Sequence, residues 1–394
     1  VKTRPAPVST GAQQRVLDEV AGDLAQQRAM LRLVQGDVGS GKTVVAAVAL
    51  LAAVRAGHQG ALMAPTELLA EQHAHNLHRW LTPLGLRVGL LAGKLGKAEK
   101  TRTLAAIADG TLDVVIGTHA LFEQAVGFAK LALVVVDEQH RFGVGQRLAL
   151  RDKGPAGMSP HQLIMSATPI PRTLAQTLYA DLDVSVIDQL PPGRTPVTTV
   201  ALANDKRLGV VERIHHACRA GKQVYWVCTL VEDSDELQAE AAESMALQLR
   251  AALPDVMIGL VHGRMKAAEK AAQMAAFKER RTQLLVATTV IEVGVDVPNA
   301  SIMVIENAER LGLSQLHQLR GRVGRGATES QCVLLYQPPL GAMARSRLDI
   351  LRKSSDGFEI AQKDLELRGP GEMLGRRQTG VVGLKLADPQ RDTA

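Results

Sequence analysis

Short apolar runs rich in branched residues recur through the first half of the chain, at Leu31–Val34, Ala61–Met63, Val88–Leu91, Val114–Ile116, Leu133–Val136 and Leu163–Met165. Longer stretches of helical character separate them, among them Lys42–Ala56, Thr66–Leu81 and Lys97–Ala108. Apolar strands alternating with crossover helices predict a parallel sheet covered on both faces. The run DQLPPGRTP at Asp188–Pro196 breaks the order. Its three prolines and one glycine can neither continue a helix nor occupy a central strand, so it reads as a linker.

Beyond the linker the alternation restarts at Val197–Leu202, Gln223–Cys228, Met257–Val261, Leu284–Ala287, Ile302–Ile305 and Cys332–Tyr336, with helical stretches such as Glu236–Ala252 and Lys266–Lys278 between them. Past Leu340 the strands stop, and the helical stretch Ala342–Arg352 leads towards LRGPGEMLGRRQTG at Leu367–Gly380. The pattern predicts two tandem α/β domains, residues 1–190 and 191–340, and a small C-terminal module at 341–394. A chain of 394 residues is long enough for two hydrophobic cores.

Composition narrows the class. With 46% apolar and 22% charged residues the chain has the balance of a folded globular protein. No stretch has the roughly 18 apolar residues of a membrane span, and the Ala-rich run Val44–Val54 reads as a buried helix. The N-terminus shows no basic-then-apolar leader, and the three cysteines form no Cys-x-x-Cys pair. A disulfide framework or zinc cluster is therefore not expected, and a reducing cytoplasm fits. The net charge of +6 is compatible with a polyanionic partner. Aromatics are only 3%, few for stacking bases, so contacts to nucleic acid would go mainly to backbone phosphates, with arginines clustered at Arg310, Arg320, Arg322 and Arg325.

Two motifs carry chemistry. Gly36–Thr43 reads GDVGSGKT, a strand-to-helix loop of the form G-x-x-x-x-G-K-[ST]. Gly36, Gly39, Ser40 and Gly41 let backbone N–H groups curl around phosphates, and the helix N-terminus adds partial positive charge. Lys42 would reach the β- and γ-phosphates of ATP, and the Thr43 hydroxyl would ligate Mg²⁺. Asp137 and Glu138 close the apolar strand Val134–Val136, facing the crevice where ligands of open α/β sheets bind. Asp137 is suited to hold Mg²⁺ and Glu138 to polarise the attacking water. An isolated Asp-Glu pair is more often a solvated strand end; its pairing with the upstream phosphate loop favours the catalytic reading.

With DEQH at Asp137–His140, Ser166-Ala167-Thr168 and QLRGRVGRG at Gln318–Gly326, the chain resembles the superfamily-two helicases. The resemblance implies two RecA-like domains around an ATP cleft. Gln318, Arg322 and Arg325 match the family's last motif, which presents arginines to the γ-phosphate. Gln13 resembles the adenine-contacting glutamine, and Ser166 and Thr168 the motif linking hydrolysis to domain movement. APTELLAEQ and GTHAL resemble the first-domain strand-contact motifs, with Thr66 and Thr118 expected at phosphates. ATTVIEVGVDVP resembles a second-domain motif joining backbone contacts at Thr288 and Thr289 to nucleotide contacts at Gly294 and Asp296.

Finer features, DEQHRFGVGQR, SATPIPRT, LPPGRTPV and DGFEIAQKDLELRGPGEMLGRRQTG, resemble the RecG family of branched-DNA helicases. This implies a C-terminal helical hairpin and loop beside the DNA channel, with Arg347, Arg368 and Gln378 at its functional positions. The implied partners are double-stranded and branched DNA, the implied work stalled-fork regression and junction processing, and the expected state a monomer. The family's N-terminal wedge domain has no counterpart here, so the chain is expected to be the motor portion. Alternatives are the motor of a transcription–repair coupling translocase, an RNA helicase and a non-catalytic nucleic-acid clamp. Gln139-His140 after Asp-Glu departs from the Ala-Asp of the large RNA-remodelling group, and Lys42, Glu138 and Arg325 argue against the clamp.

Overall fold

The computed structural model describes residues 10–93, 95–123, 125–138, 154, 159–167, 182–190, 196–229, 235–289, 297–324 and 329–368. Within them are two parallel sheets. The first has seven strands: β1 (Leu31–Gly36), β2 (Gln59–Met63), β3 (Val88–Leu91), β4 (Val114–Gly117), β5 (Leu131–Asp137), β6 (His161–Ser166) and β7 (Asp183–Ile187). Their spatial order is β3-β4-β2-β5-β6-β1-β7. The helices are α1 (Gly11–Leu24), α2 (Lys42–Arg55), α3 (Glu67–Leu81) and α4 (Lys97–Ala108).

Small residues let the layers approach. Helix α2, KTVVAAVALLAAVR, buries Val45, Ala46, Ala47, Ala49, Leu50 and Ala53. Its Leu50 reaches into β2 where a Cβ on Gly60 would come within 2.4 Å of Leu50 Cδ2, so only glycine admits that leucine without displacement. The core of this domain joins Val34, Leu50, Leu62, Ile116, Val135 and Leu163 with Val16 and Val20 of α1. Burial of this kind is the main favourable term in folding.

The second sheet has six strands: β8 (Val197–Ala203), β9 (Gln223–Val227), β10 (Ile258–Val261), β11 (Leu284–Ala287), β12 (Ala300–Ile305) and β13 (Ser330–Tyr336), in the order β10-β11-β9-β12-β13-β8. Helices α5 (Arg207–Arg219), α6 (Asp235–Ala252) and α7 (Ala267–Lys278) accompany it, and α8 (Leu313–Arg320) follows β12. Trp226 and Tyr225 of β9 are fully buried, as is Phe277 of α7. These large aromatics therefore build the core and are not available to stack on bases.

Helices α9 (Ala342–Lys353) and α10 (Gly357–Arg368) form the expected hairpin after the last strand. Leu348, Leu351 and Ile360 bury against Leu313, Leu316 and Leu319 of α8 in one cluster with the second sheet's core. Leu68 of α3 packs on that same cluster, so the two domains touch. Among the described residues no helix is long and apolar enough to cross a membrane.

Strand β7 and helices α1, α5 and α8 add to the elements legible from periodicity. Strand β7, DVSVI, is a half-buried edge strand with a polar residue at every second early position, which hides it among loop residues.

Candidate functional site

Register places the first-domain motifs side by side. Strand β6 lies between β1 and β5, with Gln35 opposite Ser166 and Asp137 opposite Met165. The loop after Gly36, the Ser166 strand end and the Asp137–Glu138 strand end thus form one continuous edge. This is the crevice outside the carboxyl ends of the strands.

The phosphate loop needs its glycines for room and for backbone angle. A Cβ on Gly36 would meet Ser40 Oγ at 2.5 Å and Ile187 Cβ at 3.1 Å. Gly39 and Gly41 have φ of 81° and 93°, left-handed values that L side chains rarely adopt. Gly41 caps α2 at its N-terminus, leaving backbone N–H groups of the first turn directed at the crevice. Thr43 stands in that turn, half-buried. Lys42 folds its ammonium back, donating to the carbonyls of Gly36 at 2.6 Å and Asp37 at 3.0 Å. Gln13 is buried beside the loop: its Nε2 donates to Ser40 O at 2.7 Å, and its Oε1 accepts from Thr10 N at 3.0 Å in the capping box of α1. In this arrangement the Gln13 carboxamide braces the loop from beneath.

Asp137 and Glu138 are differentiated by their surroundings. His73 of α3, which the sequence did not single out, places Nε2 at 2.8 Å from Asp137 Oδ2. Burial would raise the Asp137 carboxyl, but the hydrogen bond and charge of His73, with Lys42 nearby, hold it below the ordinary carboxylate range. Burial first, and the Asp137 charge second, push Glu138 above its ordinary value, with Lys42 and Arg322 pulling the other way. Glu138 also has φ of 52°, left-handed for a non-glycine residue, and its amide donates to Met165 O at 3.0 Å. Backbone strain of this kind concentrates at active sites. The surroundings thus push the two carboxyls in opposite directions, Asp137 down and Glu138 up.

The donor set suits Mg²⁺. Asp137 offers a carboxylate with one oxygen on His73, Thr43 offers a hydroxyl, and phosphate oxygens would complete the shell; magnesium typically takes one or two protein oxygens plus substrate phosphates. No group of three or more His, Cys, Asp or Glu side chains among the described residues forms a self-sufficient metal site.

The second domain supplies the opposite wall. Arg322, just past α8, is 8% exposed, and its charge acts on Glu138. A Cβ on Gly321 would lie 3.0 Å from Val38 Cβ of the phosphate loop, so the domains meet closely here. Gln318 is buried on α8. Arg320, counted above among the phosphate-binding arginines, takes another part: it is 4% exposed and donates to Leu351 O at 2.8 Å and Ser354 O at 2.7 Å. Its Nη1 is taken by these carbonyls and its Nη2 by His317 Nδ1, so it is corrected from a phosphate ligand to a structural tie.

Among the strand-contact residues, Thr66 caps α3, accepting from Leu69 N at 3.4 Å, and is half-exposed. Thr118, Thr288 and Ser166 are 4%, 1% and 3% exposed, so their hydroxyls do not face solvent in this conformation, whereas Thr289 is partly exposed. Arg347 of α9 donates to Leu311 O at 3.1 Å and Glu309 O at 3.0 Å, fastening the hairpin to the turn before α8. Gln139, His140, Thr168, Gly294, Asp296, Arg325, Gln378 and the side chain of Arg368 lie outside the described residues.

Comparison with known proteins adds three family matches: DEAD/DEAH box helicase over residues 10–177, helicase conserved C-terminal domain over 207–327, and the C-terminal part of domain 3 of the ATP-dependent DNA helicase RecG over 354–394. The ATP-dependent DNA helicase RecG of Escherichia coli strain K12 is 63% identical over 387 residues, covering 98% of this chain and 56% of that protein. The chain thus spans about half the length of the curated relatives it matches. A solved structure of RecG bound to a three-way DNA junction superposes with a TM-score of 0.78 at 43% identity, covering 92% of this chain and 47% of that one. The helicase MrfA bound to DNA, at 17% identity and a TM-score of 0.67 over 90% of this chain and 55% of that one, shares the fold.

Proposed function

The chain belongs to the RecG family of superfamily-two helicases as its motor portion, and from that premise we propose that it hydrolyses Mg·ATP in the cleft between its domains to drive movement along duplex and branched DNA. The observation that carries this is the close approach of Gly321, beside Arg322 on the second domain, to Val38 of the phosphate loop on the first, which brings both walls to one cleft.

In this reading the phosphate loop 36–43 holds the triphosphate, and Lys42 exchanges its two carbonyl acceptors for phosphate oxygens. Thr43 and Asp137 would hold Mg²⁺, which would supply positive charge to the triphosphate. Glu138 accepts a proton from the attacking water, helped by its raised affinity for protons. Arg322, with Arg325, stabilises the charge that develops on the transferred phosphoryl group. Gln13, Gln318, Gly294 and Asp296 complete the nucleotide site, while Thr66, Thr118, Thr288 and Thr289 approach DNA phosphates when the cleft changes state. Such contacts position the strand and carry no sequence information. Ser166 and Thr168 link hydrolysis to domain movement, and Arg347, Arg368 and Gln378 pass it to the DNA. The working units are residues 1–190, 191–340 and 341–394. In the whole protein this motor would regress stalled forks and process junctions.

Displacement of a third strand from a triplex tests the reading without needing a wedge domain. ATP-dependent displacement that is lost in Lys42→Ala supports a duplex translocase. Tight DNA binding with no ATP-dependent displacement would instead make the chain a clamp.

A further inference from the structure

The phosphate loop, α8 and the hairpin are joined by one line of hydrogen bonds. His317 Nε2 lies 3.0 Å from Asp37 Oδ1, and Arg320 Nη2 lies 3.0 Å from His317 Nδ1. Arg320 then ends on the carbonyls of Leu351 and Ser354, at the end of α9. The direction of each bond is fixed by chemistry. A guanidinium only donates, so His317 Nδ1 must accept, and the ring proton sits on Nε2 and is donated to Asp37. His317 and Arg320 are 6% and 4% exposed, so water does not readily substitute for either partner.

The hairpin also touches this line directly. A Cβ on Gly357, the first residue of α10, would lie 2.0 Å from Asp37 Oδ1 and 2.7 Å from His317 Nε2. Loop, α8 and hairpin therefore converge on one point, with no space for a methyl group. Asp37 is held at its carboxylate by His317 and at its backbone carbonyl by both Lys42 and the amide of Ser40, the latter at 3.0 Å. When Lys42 turns to a phosphate it gives up that carbonyl to the Ser40 amide alone, and the charged restraint on the residue that holds His317 is lost.

We propose that the Asp37–His317–Arg320 line makes the hairpin's placement depend on the state of the phosphate loop, with His317 and Arg320 as positioning residues for coupling. This rests on the reading that nucleotide occupies the 36–43 loop. The competing structural role, in which Arg320 merely caps α9 and His317 fills space, leaves the hairpin indifferent to nucleotide.

Hydrogen exchange of the hairpin amides, 342–368, with and without Mg²⁺ and a non-hydrolysable ATP analogue separates the two. In the wild-type chain the analogue changes hairpin exchange by about fivefold or more, a typical size for coupling between sites. His317→Phe removes the donor and acceptor while keeping a ring; it binds the analogue within about threefold of wild type yet loses the hairpin response. His317→Gln, whose carboxamide can donate to Asp37 and accept from Arg320, restores it. Gly357→Ala reads the same junction from the hairpin side: its methyl displaces the Asp37–His317 pair, and the response is lost in a chain that still folds and binds the analogue. This second variant decides the matter if His317→Phe does not fold. A wild-type hairpin that ignores bound analogue, or a response surviving in His317→Phe or Gly357→Ala, overturns the proposal. So does a stable His317→Gln that fails to restore it. A wild-type chain that binds no analogue refutes the nucleotide-site reading itself, a result distinguishable by the binding measurement alone.

Discussion

His73 and Asp137 meet at 2.8 Å, a helix residue gripping one oxygen of the carboxylate assigned to Mg²⁺. The ring orients the carboxylate and helps keep it ionised, as outer partners of metal ligands commonly do. His73→Ala should raise the Mg²⁺ concentration needed for half-maximal ATP turnover by about tenfold or more. Titration of turnover against Mg²⁺ checks this, and an unchanged midpoint would remove His73 from the site.

Lys42 and Arg322 are expected to fail in different ways. Lys42→Ala should lower turnover by about 100-fold or more with an unchanged circular dichroism spectrum, because a cation aimed at the phosphates is lost. Arg322→Ala and Arg325→Ala should still bind ATP but hydrolyse it about a thousandfold more slowly, the scale of an arginine acting on the transition state. Glu138→Gln should likewise bind and not turn over. Nucleotide affinity measured beside single-turnover rates tells the roles apart; a large affinity loss with normal turnover contradicts them.

Arg347 fastens α9 through two backbone carbonyls, a tie between the hairpin and the turn ahead of α8. Arg347→Ala, Arg368→Ala and Gln378→Ala should retain DNA-stimulated ATP turnover within about threefold while losing most third-strand displacement. Parallel loss of both activities, recovered by raising DNA concentration, would reduce these residues to DNA ligands.

Much of this site was legible because its chemistry constrains sequence. The glycines at 36, 39 and 41 are demanded by close approach and by left-handed φ, so they appear as a motif whatever surrounds them. Strands such as Val114–Gly117 and Leu284–Ala287 show as apolar runs because both sheet faces are covered. His73, His317 and Arg320 were not legible as partners. They sit on helices as ordinary polar residues, and only the fold brings His73 to a residue 64 positions away and His317 to one 280 positions away. Helix α8 was masked for a related reason: its eight residues bury His317, Gln318 and Arg320 together with Leu313, Leu316 and Leu319, which blurs the amphipathic signal.

Glu306 offers a stability test away from the cleft. It is 3% exposed, paired with Arg207 and accepting from Trp226 Nε1 at 3.1 Å, yet burial pushes its carboxyl above the ordinary value. A folded-state pKa raised above the unfolded one gives stability that is full below the unfolded pKa and is lost as pH rises through the folded value. Glu306→Gln has no such loss, so its thermal midpoint relative to wild type should be higher at pH 7 than near pH 4.5, roughly the ordinary glutamate pKa. A difference that shrinks or reverses on going from the lower to the higher pH would contradict the sign.

Phosphate release measured side by side with forked, duplex and single-stranded DNA tests the central claim most directly. Turnover should be slow alone, strongly stimulated by forked DNA, less by duplex and least by single strands, with every stimulated rate abolished in Lys42→Ala. Turnover that no DNA stimulates, or that single strands stimulate most, would contradict it.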